Sequence, residues 1–596
     1  MARALQRMPL QGNARRCAII RFMNPPPHGP RWRWLPVEGS WRYHLLLATL
    51  GMFVLGPLAG VTAAYMNLSL GFFVGGQVLA GLLGSVVTAG YGASGRHGAN
   101  YIQTAAASVA SMSGMGVLLQ AMAWMGLPQP PAWQMALYLA CIGMFGVGVG
   151  MLYTPVLVDR MRLAFPSGLA VANILRALTD PALLRRSVRQ LGSGVGLGLA
   201  AGLAAARLPV LGAIGLSAST FGAGLVIGAR IGIPAVTGGL VGVALQPYFV
   251  SIGWLQAGDP PRKIMFLIAL GTIMGAAVVD MAWIFAQALR RWRDRDPQSA
   301  ADAAQPPANA LRLVLWVMFW AGATVACGHW LLGQPVFFLV AAVALVFVFA
   351  LVNGISVGVS DANPISSAFV VTIVILAFMG LRDAGVGLLA GAVLLVATGV
   401  ACDMQQDRST GWRLGTSRAV QFRYQVLGVV MGAVLAVVFA RLFMAAYPVL
   451  LQDQTVMRAD QQPAEWSSAM TYKFVGVLRS LTHDLPFQRT AIGVGVAAGL
   501  AIELMRKWLR PRSFVVDAIV LPSPYALSFG GFVSLPTSLW LGAGGVAGSV
   551  WSARAPALKD APQDMNSASL LGGGLIAGDA LAAVGLGVAS LLAMVT

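Results

Sequence analysis

Apolar stretches long enough to cross the roughly 30 Å hydrocarbon core of a bilayer recur from one end of this 596-residue chain to the other. A backbone in lipid must satisfy its own N–H and C=O groups, and runs of this length do so as α-helices. Only 10% of the residues are charged and 57% are hydrophobic, against roughly a quarter charged in soluble domains. Such a chain cannot hide its apolar surface in water. The expectation is an all-α, polytopic integral membrane protein of about 16 passes forming one membrane domain.

In the first half the candidate spans run roughly 43–67, 70–90, 101–125, 132–158, 190–206, 210–229, 231–254 and 264–289. In the second they run roughly 311–332, 335–353, 364–381, 383–402, 419–446, 488–508, 516–551 and 568–595. This organises the chain as a basic leader over 1–42, a first transmembrane half over 43–289, a linker over 290–310 and a second half over 311–596. The linker rests on the charged, Ala-rich and Pro-containing stretch from Arg290 to Asn309.

A net charge of +19 would suit a nucleic-acid partner, but the basic residues fall in short clusters between apolar runs rather than in one stripe. They report topology instead. With the N-terminus inside, the positive-inside rule assigns Arg160, Arg176, Arg185, Arg186 and Arg189 to one cytoplasmic loop and Arg290, Arg291, Arg293 and Arg295 to another. Arg408, Arg413, Arg418 and Arg423 mark a third, and Arg506, Lys507, Arg510 and Arg512 a fourth. The loop over 447–487 mixes Asp453, Asp460, Glu465 and Asp484 with its cations and reads as extracytoplasmic. The cysteines Cys17, Cys141, Cys327 and Cys402 are scattered without a CxxC spacing, so neither a zinc site nor a disulfide framework is expected.

Phe221 to Gly242 echoes Phe529 to Gly548: both open on Phe-Gly, carry a proline mid-segment (Pro234, Pro536) and close on Gly-rich turns. Duplicated halves with Gly/Pro-interrupted segments point to the binding region of a secondary transporter. The glycines at 192, 194, 196 and 198 lie within an apolar helical run. There they let helix backbones approach rather than cradle a phosphate.

Polar groups within apolar runs cost free energy unless they face protein or a wet cavity. Asn100, Gln103 and Thr104, with Ser108 and Ser111, recur near helical spacing as a polar stripe. Asp361, Asn363 and Ser366 surround Pro364, where a broken helix would offer backbone groups and a carboxylate to a substrate. Arg230 lies in the first echo segment. Asp280 and Asp579 are intramembrane carboxylates suited to a proton relay, whereas Glu503 lies within a turn of Arg506 and Lys507 and reads as a helical ion pair. Asp403 and Asp407, four apart, would suit a magnesium-bound diphosphate in a membrane enzyme, but such enzymes need a second acidic cluster and the sequence offers none. No HExxH or nucleophile elbow is present, no ATP-binding motif occurs, and no cofactor is implied.

Taken together, the motifs resemble the oligopeptide transporter family, which includes the yellow-stripe-like metal-chelate transporters. His97 to Ser108 (HGANYIQTAAAS) looks like the family's Gly-Glu-Asn segment followed by Val-Gln-Thr-Ala-Ala-Ser, and Phe165 to Gly168 looks like its Tyr-Pro-Ser-Gly loop. Met404 to Gly415 (MQQDRSTGWRLG) resembles its Gln-Asp-x-Lys-Thr-Gly loop, and Gly574 to Leu581 (GLIAGDAL) its terminal Gly-Leu-Ile-Ala-Gly-Glu-Ala-Leu. Ala99 stands where the family has Glu, and Asp579 replaces a Glu one methylene longer. The resemblance implies proton-coupled symport of small peptides or metal complexes of amino-acid-like chelators, by a multi-pass protein of a bacterial inner membrane. The partners expected are the substrate, protons and lipid, with a homo-oligomer compatible. A magnesium-dependent lipid-modifying enzyme and a passive channel are the competing readings.

Overall fold

The computed structural model describes residues 35–71, 76–161, 163, 165–208, 217–293, 310–360, 365–461, 463, 466–482, 486–509, 513–554 and 566–595. Among the described residues all regular structure is helical. The first half contains α1 (Trp41–Ser69), α2 (Gly76–Thr88), α3 (Gly95–Ser113), α4 (Val117–Trp124), α5 (Ala132–Thr154), α6 (Pro166–Ala177), α7 (Pro181–Arg207), α8 (Ala218–Ile227), α9 (Ala229–Ser251) and α10 (Arg262–Arg293). Then come α11 (Ala310–Trp330), α12 (Val336–Ser360), α13 (Ile365–Phe378), α14 (Ala384–Leu414), α15 (Arg418–Ala446), α16 (Ala469–Thr482), α17 (Pro486–Leu509), α18 (Pro524–Phe532), α19 (Leu535–Arg554) and α20 (Ser567–Val595).

Helix starts follow local chemistry. The Asp180 carboxylate accepts from the Ala182 N–H at 2.9 Å before Pro181 opens α7, and Asp383 accepts from Val386 at 2.9 Å at the start of α14. α14 stops at Gly415, whose φ of +72° suits a residue without Cβ. This end point corrects the sequence reading. The segment 404–414, expected to be a cytoplasmic loop, continues the helix, so Arg408 lies inside the protein with 0% exposure.

By length and composition, ten helices among the described residues qualify as membrane spans. The expected passes 70–90 and 101–125 fall largely in one of these spans, Ala80–Trp124, and α9 is another. α7, outside the ten, carries Arg185, Arg186 and Arg189 in its first turns, and the breaks at Gly228 (φ +77°) and at residues 533–534 leave α8 and α18 short.

Helix packing shows a two-fold exchange. α3 lies along α15 and α5 along α14; α7 lies along α20 and α10 along α17; α8 and α9 face α19 and α18. Within each unit, α1 packs on α3 as α12 packs on α14. The first unit is therefore α1–α10, the second α12–α20, and α11 stands outside the pairing. Gly428 and Gly432 of α15 abut Ala105 and Val109 of α3 in the same order, so those helices run parallel; Gly146 and Gly150 of α5 meet Ala397 and Ala401 of α14 likewise. Short turns make α3–α4 antiparallel to α5 and α14 antiparallel to α15. Equivalent helices thus run in opposite directions, the geometry of an inverted repeat.

Glycines set the closest approaches. On α7 and α20, Gly194 and Gly198 meet the carbonyls of Leu571 and Leu575, while Gly574 and Gly578 meet those of Leu191 and Val195. The same interlock recurs on α17 and α10: Gly495 and Gly499 meet Ile268 and Thr272, and Gly271 and Gly275 meet Ile492 and Val496. In lipid, where no hydrophobic effect drives helices together, such backbone contact supplies the dispersion and Cα–H···O attraction that does. The echo segments also exchange partners, Gly224 meeting the Leu541 carbonyl and Gly238 that of Leu527. The mirrored contacts, Gly530 on the Ala235 carbonyl and Gly544 on that of Phe221, match Gly224 to Gly530 and Gly238 to Gly544, a register in which neither the prolines nor the Phe-Gly openings coincide.

Candidate functional site

Asn100, Gln103 and Thr104 sit at i, i+3 and i+4 on α3, so one helix face carries all three, and all are fully buried. That face meets α14 and α15. The Gln103 amide donates to Asp407 Oδ1 at 3.0 Å, and Gln421 Nε2 donates to Thr104 Oγ1 at 3.1 Å and to the Asp407 carbonyl at 2.6 Å. Ser111, one stripe position further, is a hydrogen-bond partner of Asp403. Ser108 instead donates back to the Thr104 carbonyl of its own helix at 2.7 Å.

Many of the remaining polar atoms in this region have no hydrogen-bond partner among the described residues. They include both amide atoms of Asn100, Gln405 and Gln425, the free oxygens of Gln103 and Gln421, and all three guanidinium nitrogens of Arg408. Most buried polar groups in proteins are paired, and each exception costs about 1–3 kcal/mol unless water or a ligand completes it. A buried guanidinium costs more. Arg408 has Asp407 and Asp159 as nearby anions, but Asp159 is already ion-paired with Arg418. The result is a polar chamber between α3, α14 and α15, with donors and acceptors held in place by helices, while Gln405 lies on the other side of α14, against Gly354 of α12. Arg96, one turn before Asn100 on α3, lines a small cleft of about 40 Å³ between α2, α6 and α7, together with Ser85, Thr88 and Thr179.

The other residues singled out from the sequence lie elsewhere. Asp361 and Asn363 fall outside the described residues, as does the side chain of Ser366. Asp579 is buried on α20, where its Oδ2 accepts from the Ser219 N–H at 2.9 Å and from the Tyr65 hydroxyl at 3.3 Å. It thereby sits at the positive N-terminal end of α8 and joins α1 of one helix group to α7, α8 and α20 of another.

Asp280 pairs with Lys507 Nζ at 2.6 Å and accepts from the Tyr525 hydroxyl at 2.8 Å. Lys507 also reaches Glu503 at 3.1 Å, as the helical spacing predicts, and Arg506 links Glu503 to Asp517. Arg230 ends this chain at 3.8 Å from Asp517 with its side chain 66% exposed, so it belongs to a surface ion network and not to the chamber. Exposed pairs contribute about 0–1 kcal/mol. Arg230→Ala is therefore expected to leave the melting temperature in detergent almost unchanged. Lys507→Met, which takes the paired cation from Asp280 and leaves Glu503 only its longer contact with Arg506, should lower it clearly.

Sequence reasoning named Asn100, Gln103 and Thr104 from their spacing. It missed Gln405, Arg408, Gln421 and Gln425, the first two because 404–415 read as a loop. It considered Asp407 only as a magnesium ligand; among the described residues no group of three His, Cys, Asp or Glu gathers to hold a metal, and Asp407 is engaged by Gln103.

The family model described as OPT oligopeptide transporter protein matches residues 45–590. No curated protein matches the chain. With a match covering nearly the whole membrane domain and the motif segments Asn100–Ser108, Gln406–Gly411 and Gly574–Leu581 each in a helix that lines or borders a buried polar site, the chain belongs to the OPT oligopeptide transporter family.

Proposed function

We propose that this protein is a proton-coupled symporter of small oligopeptides or of metal complexes of amino-acid-derived chelators, working in a bacterial inner membrane with its N-terminus in the cytoplasm. The observation that carries the reading is the set of buried, unpartnered polar groups around the Gln103–Asp407 bond. A zwitterionic solute fits such a lining: Arg408 complements a carboxylate, Asp407 an ammonium, and the amides of Asn100 and Gln425 complement peptide groups whichever way they are turned.

Alternation between faces follows from two helix groups, α1–α6 with α11–α16 and α7–α10 with α17–α20, moving against each other. Asp579 bridges them through Tyr65 and Ser219. Among the described residues no cation pairs with it, so it is better suited than Asp280 to exchange a proton during the cycle. The two halves we adopt, 43–289 and 311–596 joined by a linker, each hold one repeat unit, with α11 preceding the second, and both carboxylates lie in the last long helix of a half.

The test is uptake by purified protein in liposomes, with and without an inward proton gradient, across di- to pentapeptides and amino-acid-type iron and nickel chelates. Gradient-dependent accumulation of a panel member is the expected result. Equilibration that ignores the gradient would make the protein a channel or facilitator. Turnover of a lipid substrate that requires magnesium and is lost in Asp403→Ala would make it an enzyme.

A further inference from the structure

The four cysteines are far apart in sequence, yet the fold brings two together: Cys141 of α5 and Cys327 of α11 lie with their sulfurs 3.6 Å apart. Both are free thiols. Their neighbourhood is tied on either side of the pair. Trp316 Nε1 of α11 donates to the Met144 carbonyl of α5 at 3.0 Å, and Gly328 of α11 packs on the fully buried Tyr138 of α5. These contacts hold the antiparallel helices in one register, so the two thiols face each other through rigid backbone. A disulfide needs its sulfurs about 2.05 Å apart, a closure of about 1.5 Å from where they lie. Cys141 is buried, whereas Cys327 is partly exposed.

We propose that Cys141 and Cys327 form an oxidisable dithiol site, and that its disulfide staples α11 to α5. The reagent it takes is a two-electron oxidant able to enter the bilayer, of the diazene class. Cys327 reacts first, adding its sulfur to one nitrogen of the N=N bond. The Cys141 thiolate then attacks that sulfur, forming S–S, breaking S–N and expelling the reduced reagent; two thiols lose two protons and two electrons, and the diazene gains them as hydrazine. α11 is the helix outside the two-fold exchange; it packs chiefly on α5 and α12, and its Trp316 meets Phe422 of α15 edge-on. The staple therefore adds no bond between the two helix groups proposed to move.

The test uses full-length protein carrying Cys17→Ser and Cys402→Ala, in detergent and in liposomes, treated with the diazene diamide, then unfolded and alkylated with a maleimide. Intact mass is expected to fall by about 2 Da with loss of both alkylatable thiols, reversibly with dithiothreitol. Adding Cys327→Ser should restore one alkylatable thiol. The apparent melting temperature should rise on oxidation only when both cysteines are present. If both thiols still alkylate after diamide, in protein whose elution profile shows it folded, the site does not exist. If the oxidised protein forms only intermolecular dimers, the pair is not poised within one chain, and the proposal also fails.

Discussion

Uptake by the Asp407→Asn variant is expected to fall about 10- to 100-fold while the protein stays folded. Asp407 accepts from Gln103 on α3, and its own carbonyl is held by Gln421 on α15, so it lies where three helices meet. Asparagine keeps the size and the backbone contact but removes the charge. A hydrogen bond to a charged group contributes about 1.5–3 kcal/mol, which corresponds to about a ten- to hundredfold change in binding. The measurement is initial uptake rate in liposomes at saturating gradient, alongside thermal stability. Gln103→Ala should move the rate in the same direction by less, because the carboxylate survives. Undiminished uptake in Asp407→Asn would remove the chamber from the transport path and leave its polar atoms as a hydrated structural network.

The second large effect concerns assembly. A Cβ at Gly198 would lie 2.3 Å from the Leu575 carbonyl oxygen, and one at Gly194 would lie 2.5 Å from that of Leu571, whereas Gly192 and Gly196 on the same helix have nothing within 4 Å. Both faces of α7 are glycine-rich, yet only one is packed. Gly198→Leu is expected to prevent α7 from closing on α20, since backbone offers no room to yield and overpacking typically costs 1–3 kcal/mol even where side chains can shift. Gly196→Leu, one half-turn away, should be tolerated or slightly stabilising through helix propensity. Size-exclusion profiles and melting temperatures of the two variants compare these directly. Equal behaviour of the pair would mean that the α7–α20 interlock does not support the fold.

Gly499→Leu, where a Cβ would lie 2.0 Å from the Thr272 carbonyl oxygen, should match Gly198→Leu because the inverted repeat places it in the equivalent interlock on α17 and α10. The sequence itself carries that equivalence: Gly194-Val195 and Gly198-Leu199-Ala200 recur as Gly495-Val496 and Gly499-Leu500-Ala501. The echo between the Gly/Pro-interrupted segments was visible earlier but in a mixed register. Neither its prolines nor its Phe-Gly openings fall on equivalent positions, because glycine, proline and phenylalanine are frequent in membrane helices and match by composition, whereas the interlocking Gly224 and Gly530 and the helix breaks at Gly228 and 533–534 do correspond.

Much of the architecture was legible without coordinates. Hydropathy over about 20 residues demands helices in lipid, and that demand is local, so the spans of α1, α5, α10, α11, α15 and α20 emerge within a few residues. The stripe of Asn100, Gln103 and Thr104 was legible for the same reason: 3.6-residue periodicity puts them on one face whatever that face meets. The Glu503–Lys507 pair is equally local, a four-residue spacing on one helix.

Partner choice belonged to the tertiary structure. Arg408 reads as a cytoplasmic-loop cation because charge usually marks a loop, yet α14 continues past it to Gly415 and packing against its neighbours buries it. Arg230 reads as a pore residue and ends as an exposed terminus of an ion network. Cys141 and Cys327 read as unrelated, and the α5–α11 register sets them 3.6 Å apart. What one residue type can do follows from its own chemistry and its near neighbours. What it meets across the bilayer depends on which glycine faces interlock, and that is decided only when every helix has found its partner.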